Sequence, residues 1–140
     1  MNRVPTLNRG NSHSDDRGVL HFNNEVNIQG VKRIYFVENI DTNFIRGWQG
    51  HQVEQRWFSA VQGSFKISTM AVDNWENPSK NSPMQSFILN ASSLDVLHIP
   101  NGYITCIQSL ENSSRLMAMS DYLLNEINDE YRFESAYFNK

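Results

Sequence analysis

Residues 46–65 read RGWQGHQVEQRWFSAVQGSF, and in this stretch Arg46, Gln49, His51, Glu54 and Arg56 set a dense run of hydrogen-bonding side chains on a segment patterned as a β-hairpin. His51 is its one histidine. A neutral imidazole near pH 7 is the best single side chain for a general base, although a satisfied wall or surface histidine is the commoner use. Arg46, just ahead of Gly47, could clamp a phosphate or carboxylate through two parallel hydrogen bonds, or pair with Glu54 or Asp41 at a rim. Glu54 and Arg56, two apart, suit an ion pair as well as a ligand contact. Side chains of a strand alternate between faces, so Gln49, His51, Val53, Gln55 and Trp57 are expected on one side and Gly50, Gln52, Glu54, Arg56 and Phe58 on the other. Neither set is purely apolar. Burying such groups without partners costs a few kcal/mol each, so the mixed faces point to a partly polar cavity.

Other chemistries find less support. HQVE supplies one His and one Glu and the later PNGYIT adds no histidine, so no catalytic metal is expected. The chain has no Gly-rich phosphate loop, nucleophile elbow or Ser-His-Asp pattern, and implies no cofactor. Cys106, between Thr105 and Ile107 in an apolar strand pattern, reads as a buried inert thiol; as the single cysteine it rules out an internal disulfide and fits a reducing compartment. His13 and His21, flanking an N-terminal strand, read as surface or interface residues.

The elements that must position these side chains are strands. At 140 residues, one domain spanning 1–140 is the default. Hydrophobic residues at 39%, charged residues at 19% and a formal net charge of −3 place the chain among globular domains and leave no basic stripe for nucleic acid. The N-terminal MNRVPTLNRGNSHSDD has no apolar core of the signal-peptide kind, and no run approaches the roughly 20 apolar residues of a membrane span, so the cytoplasm is the expected location. β-branched and aromatic residues arrive in short runs between turn signals, predicting an all-β sandwich or barrel with strands at 18–22, 33–38, 50–62 (with room for one break), 64–72, 84–89, 95–99, 103–110 and 115–120. VQGSF is expected to be a tight hairpin turn with Gly63 at positive φ, and HIPNGYI a second turn. DNWENPSKNSP is a loop whose Trp75 reads as a structural staple. The tail DYLLNEINDEYRFESAYFNK carries helical spacing at Tyr122, Leu123 and Ile127, and reads as a terminal helix or turn laid against the barrel.

DDRGVLHF, VKRIYFV, RGWQGH, QGSFKI, HIPNGY and MSDYLLNE, in that order, resemble the WxcM-like group of sugar 3,4-ketoisomerases, which act on dTDP-4-keto-6-deoxyglucose, and more distantly the dTDP-4-dehydrorhamnose 3,5-epimerases. The resemblance covers nearly the whole chain. It implies a cupin jelly roll (a double-stranded β-helix) with a short C-terminal helical segment, usually a homodimer. It also implies a dTDP-linked or other nucleotide-linked keto-deoxysugar in the barrel mouth, no metal, and proton transfer beside the ketone through an enediol or enolate. By this resemblance Arg46 matches an arginine close to the nucleotide sugar, Gln49 stands where the first of two histidines is expected, and His51 matches the second. Arg17 matches an arginine that reaches a pyrophosphate, with a salt bridge to Asp15 as its simpler role. Trp48 and Trp57 suit a core or dimer interface, or stacking on a thymine or sugar face.

Two departures stand out. Gln49 cannot take up a proton near neutral pH, though its amide can hold a carbonyl or hydroxyl. Thr105 replaces a histidine of the later turn. Three readings therefore stay open: His51 as base with Tyr35 or Tyr103 as acid partner, a different proton transfer on a related sugar nucleotide, or a non-catalytic binding or assembly module. Gln49, Arg46, Arg17, Glu54 and Arg56 are the expected substrate-binding side chains. A catalytic site should give His51 an acid or carboxylate within hydrogen-bond reach, which a pure binder does not require.

Overall fold

The computed structural model describes residues 3–138. Two five-stranded antiparallel sheets face each other. One runs in the order β1 (Thr6–Asn8), β9 (Val96–Ile99), β6 (Arg56–Gln62), β11 (Arg115–Ser120), β4 (Arg33–Val37). The other runs β12 (Tyr131–Arg132), β5 (Ile45–His51), β10 (Tyr103–Ser109), β7 (Ser64–Ala71), β8 (Met84–Asn90). Consecutive strands repeatedly change sheet, which gives the jelly roll, and the hairpin of β2 (Asn11–Asp15) and β3 (Gly18–Phe22) pairs only with itself. Phe58, Phe65, Ile67, Leu89, Leu97, Ile107 and Leu116 meet between the sheets as the main core.

Three expectations change. The strand expected at 50–62, with room for one break, is broken at residues 52–55 into β5 and β6, which lie in opposite sheets. VQGSF does turn at Gly63, with φ of 71°, yet β6 and β7 do not pair; the turn carries the chain from one sheet to the other. A Cβ on Gly63 would lie 2.1 Å from Ser114 Oγ, so crowding as well as conformation calls for glycine there. The helical spacing at Tyr122, Leu123 and Ile127 belongs to turns, and the helix α1 is one turn at Ser135–Phe138. Apolar residues of this tail serve as a strap. Phe133 and Phe138 pack with Trp48, Met70 and Ile104 on the outer side of the second sheet, and Trp75 packs at a tilt against Tyr131 with ring centroids 4.7 Å apart, the staple the loop composition suggested.

Candidate active site

Strict alternation cannot put Arg46, Gln49, His51, Glu54 and Arg56 on one wall, because their spacing changes parity twice. Two irregularities correct the parity. Across the β5 and β10 ladder, Thr105 faces Gln49 while Ile107 faces Arg46, so β5 carries one extra residue, a bulge that turns both Arg46 and Gln49 inward. Residues 52–55 then break the strand, which overturns the expected separation of His51 from Glu54 and Arg56 onto opposite faces. The break is held by one carboxylate. Asp129 Oδ1 accepts from the Gln52 N–H at 2.9 Å, and its Oδ2 accepts from the Val53 and Glu54 N–H groups at 2.9 and 2.8 Å. Asp121 accepts from the Gln55 N–H at 2.8 Å. Gly50 lets β10 close in beside this wall, since a Cβ there would lie 2.2 Å from the Tyr103 carbonyl oxygen.

The wall encloses a cavity of about 220 Å³. Arg46, Gln49, His51, Glu54 and Arg56 line it together with Tyr35 from β4, Tyr103 and Thr105 from β10, and Arg33, Leu124, Glu130 and Arg132. His51 is 7% exposed. Its Nδ1 lies 3.0 Å from the Asp129 carbonyl oxygen, an atom that can only accept, so Nδ1 carries the ring proton and Nε2 is the basic nitrogen. Glu54 Oε2 stands 3.6 Å from Nδ1, at ion-pair range and beyond a hydrogen bond. The Glu54 carboxylate is instead held by Arg56 Nη2 at 2.5 Å, and Arg56 Nη1 donates to the Tyr35 hydroxyl. Arg56 Nε is buried without a hydrogen-bond partner among the described residues. Gln49 Nε2 donates to Glu130 Oε1 at 2.6 Å, and Glu130 Oε2 lies 3.3 Å from Arg132 Nη2.

Burial, and after it the Arg56 guanidinium, hold the His51 pKa below its ordinary 6.5, while Glu54 and Asp129 offset only part of this. The imidazole is therefore neutral at neutral pH, as a base must be. Four arginines face two glutamates around the cavity, a positive pocket in a chain of net charge −3. Arg46 donates to Asn39 Oδ1 at 3.2 Å and Arg33 stacks over Tyr35, so among the described residues neither is matched to a carboxylate.

Of the expected catalytic and substrate-binding residues, Arg17 is the one not brought here. It sits at the turn of the β2 and β3 hairpin, 85% exposed, and binds Asp15 at 2.7 Å. Trp48 and Trp57 are buried in packing clusters away from the cavity. Cys106 is half-buried, and burial pushes its thiol pKa up, as befits an inert sulfur. His13 and His21 are exposed on the hairpin. Sequence reasoning missed Arg33, Asp129, Glu130 and Arg132. The last three lie in the tail, where the only signal was charge beside a β-capable YRF; their importance comes from β12 pairing Tyr131 with Gly50 and Arg132 with Gln49. No helix among the described residues is long and apolar enough to cross a membrane.

Solved structures with this architecture include a histidine-to-asparagine mutant of the 3,4-ketoisomerase QdtA from Thermoanaerobacterium thermosaccharolyticum in complex with TDP-4-keto-6-deoxyglucose. It is 19% identical with a TM-score of 0.72, over 99% of this chain and 94% of that one. A 3,4-ketoisomerase from Helicobacter canadensis is 20% identical with a TM-score of 0.71, over 96% and 95% of the two chains. The rmlC epimerase of Mycobacterium tuberculosis is 18% identical with a TM-score of 0.71, over 94% of this chain and 70% of that one. No curated protein sequence is significantly similar to the chain. The family model described as WxcM-like, C-terminal (FdtA) matches residues 4–140, nearly the whole length, and the chain belongs to that family.

Proposed function

We propose that the protein isomerises a dTDP-linked 4-keto-6-deoxyhexose by proton transfer beside the ketone, as a sugar-nucleotide 3,4-ketoisomerase. The observation that carries this reading is the His51 ring. Its Nδ1 is tied to a backbone carbonyl, its pKa is held below the ordinary value, and it lines a cavity that Tyr35 and Tyr103 share. Nε2 removes the proton on the carbon next to the carbonyl, and the phenolic O–H groups of Tyr35 and Tyr103 donate to the enolate oxygen that develops. The Tyr35 oxygen already accepts from Arg56, which leaves its own proton to donate.

The size and charge of the site match the two halves of such a substrate. At about 220 Å³ the cavity is smaller than the roughly 300–1,000 Å³ typical of whole-ligand pockets, so it takes the sugar while the nucleotide lies across the mouth. Arg33 and Arg46, free of carboxylates, meet the diphosphate there, and Gln49 and the Glu54 and Arg56 pair hold hydroxyl and carbonyl groups. We place the enzyme in the cytoplasm, in deoxysugar synthesis for a surface polysaccharide, lipopolysaccharide or glycoprotein, as a homodimer. Ile34 and Phe36 on edge strand β4 and Val19 and Leu20 on the hairpin are exposed apolar side chains that a second copy would cover. Arg17 takes its part in substrate binding through that second copy, because its own hairpin stands clear of its own cavity.

Gln49 favours one other reading, a sugar-nucleotide binding module without chemistry, since an amide stands where a second proton carrier is expected. Proton NMR in deuterated water with dTDP-4-keto-6-deoxyglucose separates the two. Native protein is expected to exchange the C3 hydrogen and form the 3-keto product, and His51→Asn to lose both. Tight binding of dTDP with no exchange in the native protein would establish the binding module.

A further inference from the structure

We propose that Glu130 is the second proton-handling group of the cavity, relaying a hydroxyl proton between two neighbouring sugar oxygens while His51 moves the proton on carbon; this rests on the isomerase reading above. Shifting a ketone to the adjacent carbon moves two protons, one from carbon to carbon and one from oxygen to oxygen. His51 has one basic nitrogen, because Nδ1 is committed to the Asp129 carbonyl. Tyr35 and Tyr103 line the cavity and steady the developing oxyanion with hydrogen bonds, but taking up the proton of the C3 hydroxyl calls for an acceptor that carries no proton of its own, a carboxylate. Asp129 is buried and stands outside the cavity lining, its carboxylate turned to three backbone N–H groups. Glu54 is locked to Arg56 at 2.5 Å and is almost fully buried. Glu130 is different. Its side chain is 52% exposed at the rim of the cavity, and among the described residues each of its oxygens meets a single side-chain donor, Gln49 Nε2 at 2.6 Å and Arg132 Nη2 at 3.3 Å. Each carboxylate oxygen can accept more than one hydrogen bond, so both retain a site for a sugar hydroxyl.

The placement is built into the fold. Arg132 lies opposite Gln49 across the β12 and β5 ladder, so the strand that anchors the tail also delivers Glu130 beside the Gln49 amide. That amide cannot titrate, but it donates to the carboxylate and fixes where it points.

The step balances with no outside reactant. Nε2 of His51 takes the hydrogen on C3, the C–H electron pair becomes the C3=C4 bond, and the carbonyl pair moves onto O4. Glu130 takes the proton of the C3 hydroxyl and delivers it to O4. The pair left on O3 forms the new carbonyl, and the double-bond pair takes the proton from His51 Nε2 at C4.

The test uses the same deuterium NMR assay and reads C3 exchange and product separately. In Glu130→Gln, C3 exchange is expected to persist while product formation falls by about 100-fold or more, the usual scale of a general acid or base. Glu130→Asp should recover part of the product rate. A merely structural role would not split the two readouts. Product at the native rate in Glu130→Gln, or parallel loss of exchange and product, would overturn the relay. Native protein that neither exchanges nor isomerises would overturn the isomerase reading and the relay together, an outcome distinct from failure of Glu130 alone, in which the native protein isomerises.

Discussion

The space between the two sheets has two ends, and strands β6 and β10 contribute to both. At the closed end Phe65, Ile67, Leu89, Leu97 and Leu116 are fully buried and apolar. At the open end β6 begins with Arg56 before Phe58 and Ala60, β5 finishes with His51, and β10 begins with Tyr103 and Thr105 before Ile107. Packing at the closed end removes apolar surface from water, at roughly 25 cal/mol per Å². Burial at the open end strips water from an imidazole, a carboxylate and a guanidinium, and their mutual attraction repays only part of that. One end of a single core therefore stabilises the barrel and the other holds groups the barrel would be more stable without.

The largest expected effect lies at the closed end. Phe65→Ala should cost about 3–5 kcal/mol, read as a lower urea midpoint, because a fully buried ring leaves a cavity that its neighbours fill only partly. Per folded molecule, C3 exchange should stay at the native rate. A folded Phe65→Ala protein with impaired exchange would break the comparison, showing that the closed end shapes the open one.

At the open end the sign of the effect depends on how many partners are removed. Glu54→Leu leaves the buried Arg56 charge with Tyr35 alone and should cost about 3 kcal/mol, the low end for breaking a buried pair. Adding Arg56→Met should return stability to native or above it, since the desolvation of both charges is then removed. Both proteins should bind the sugar nucleotide poorly. A double variant less stable than Glu54→Leu would show that the ion pair contributes net stability, which sharpens the comparison in the opposite direction. Urea midpoints of the three proteins decide it.

The closed end was legible in the sequence and the open end only in its ingredients. The run SFKIS alternates cleanly, and the strands at 18–22, 64–71 and 115–120 fall where β propensity and turn chemistry put them. The stretch around His51 gave the right residue types with the wrong faces. Its parity is reset by a bulge against β10 and by a break that Asp129 clamps from more than seventy residues away, and no local pattern encodes a partner at that distance. The same limit hid Glu130 and Arg132, whose tail looked helical by spacing but pairs with β5 as an edge strand. Tertiary pairing decided both.

The smallest effect is the pH dependence of stability. His51 titrates below 6.5 in the folded protein because of burial and Arg56, and near 6.5 when unfolded. Above 6.5 both states hold the neutral ring, and folding keeps its full stability. As the pH falls from 6.5 through the lower folded value the unfolded chain takes up the proton first, so stability is lost over that window. His98, whose pKa is also lowered by burial and Arg3, contributes with the same sign. Urea midpoints measured above and below 6.5 should therefore drop on acidification in native protein and drop less in His51→Asn, in which His98 still contributes. The acidic limb of kcat/KM should likewise fall below 6.5, since the free enzyme needs a neutral ring. An unchanged drop in His51→Asn would mean that the open end holds its imidazole at no electrostatic disadvantage, and the contrast between the two ends would then rest on the Glu54 and Arg56 pair alone.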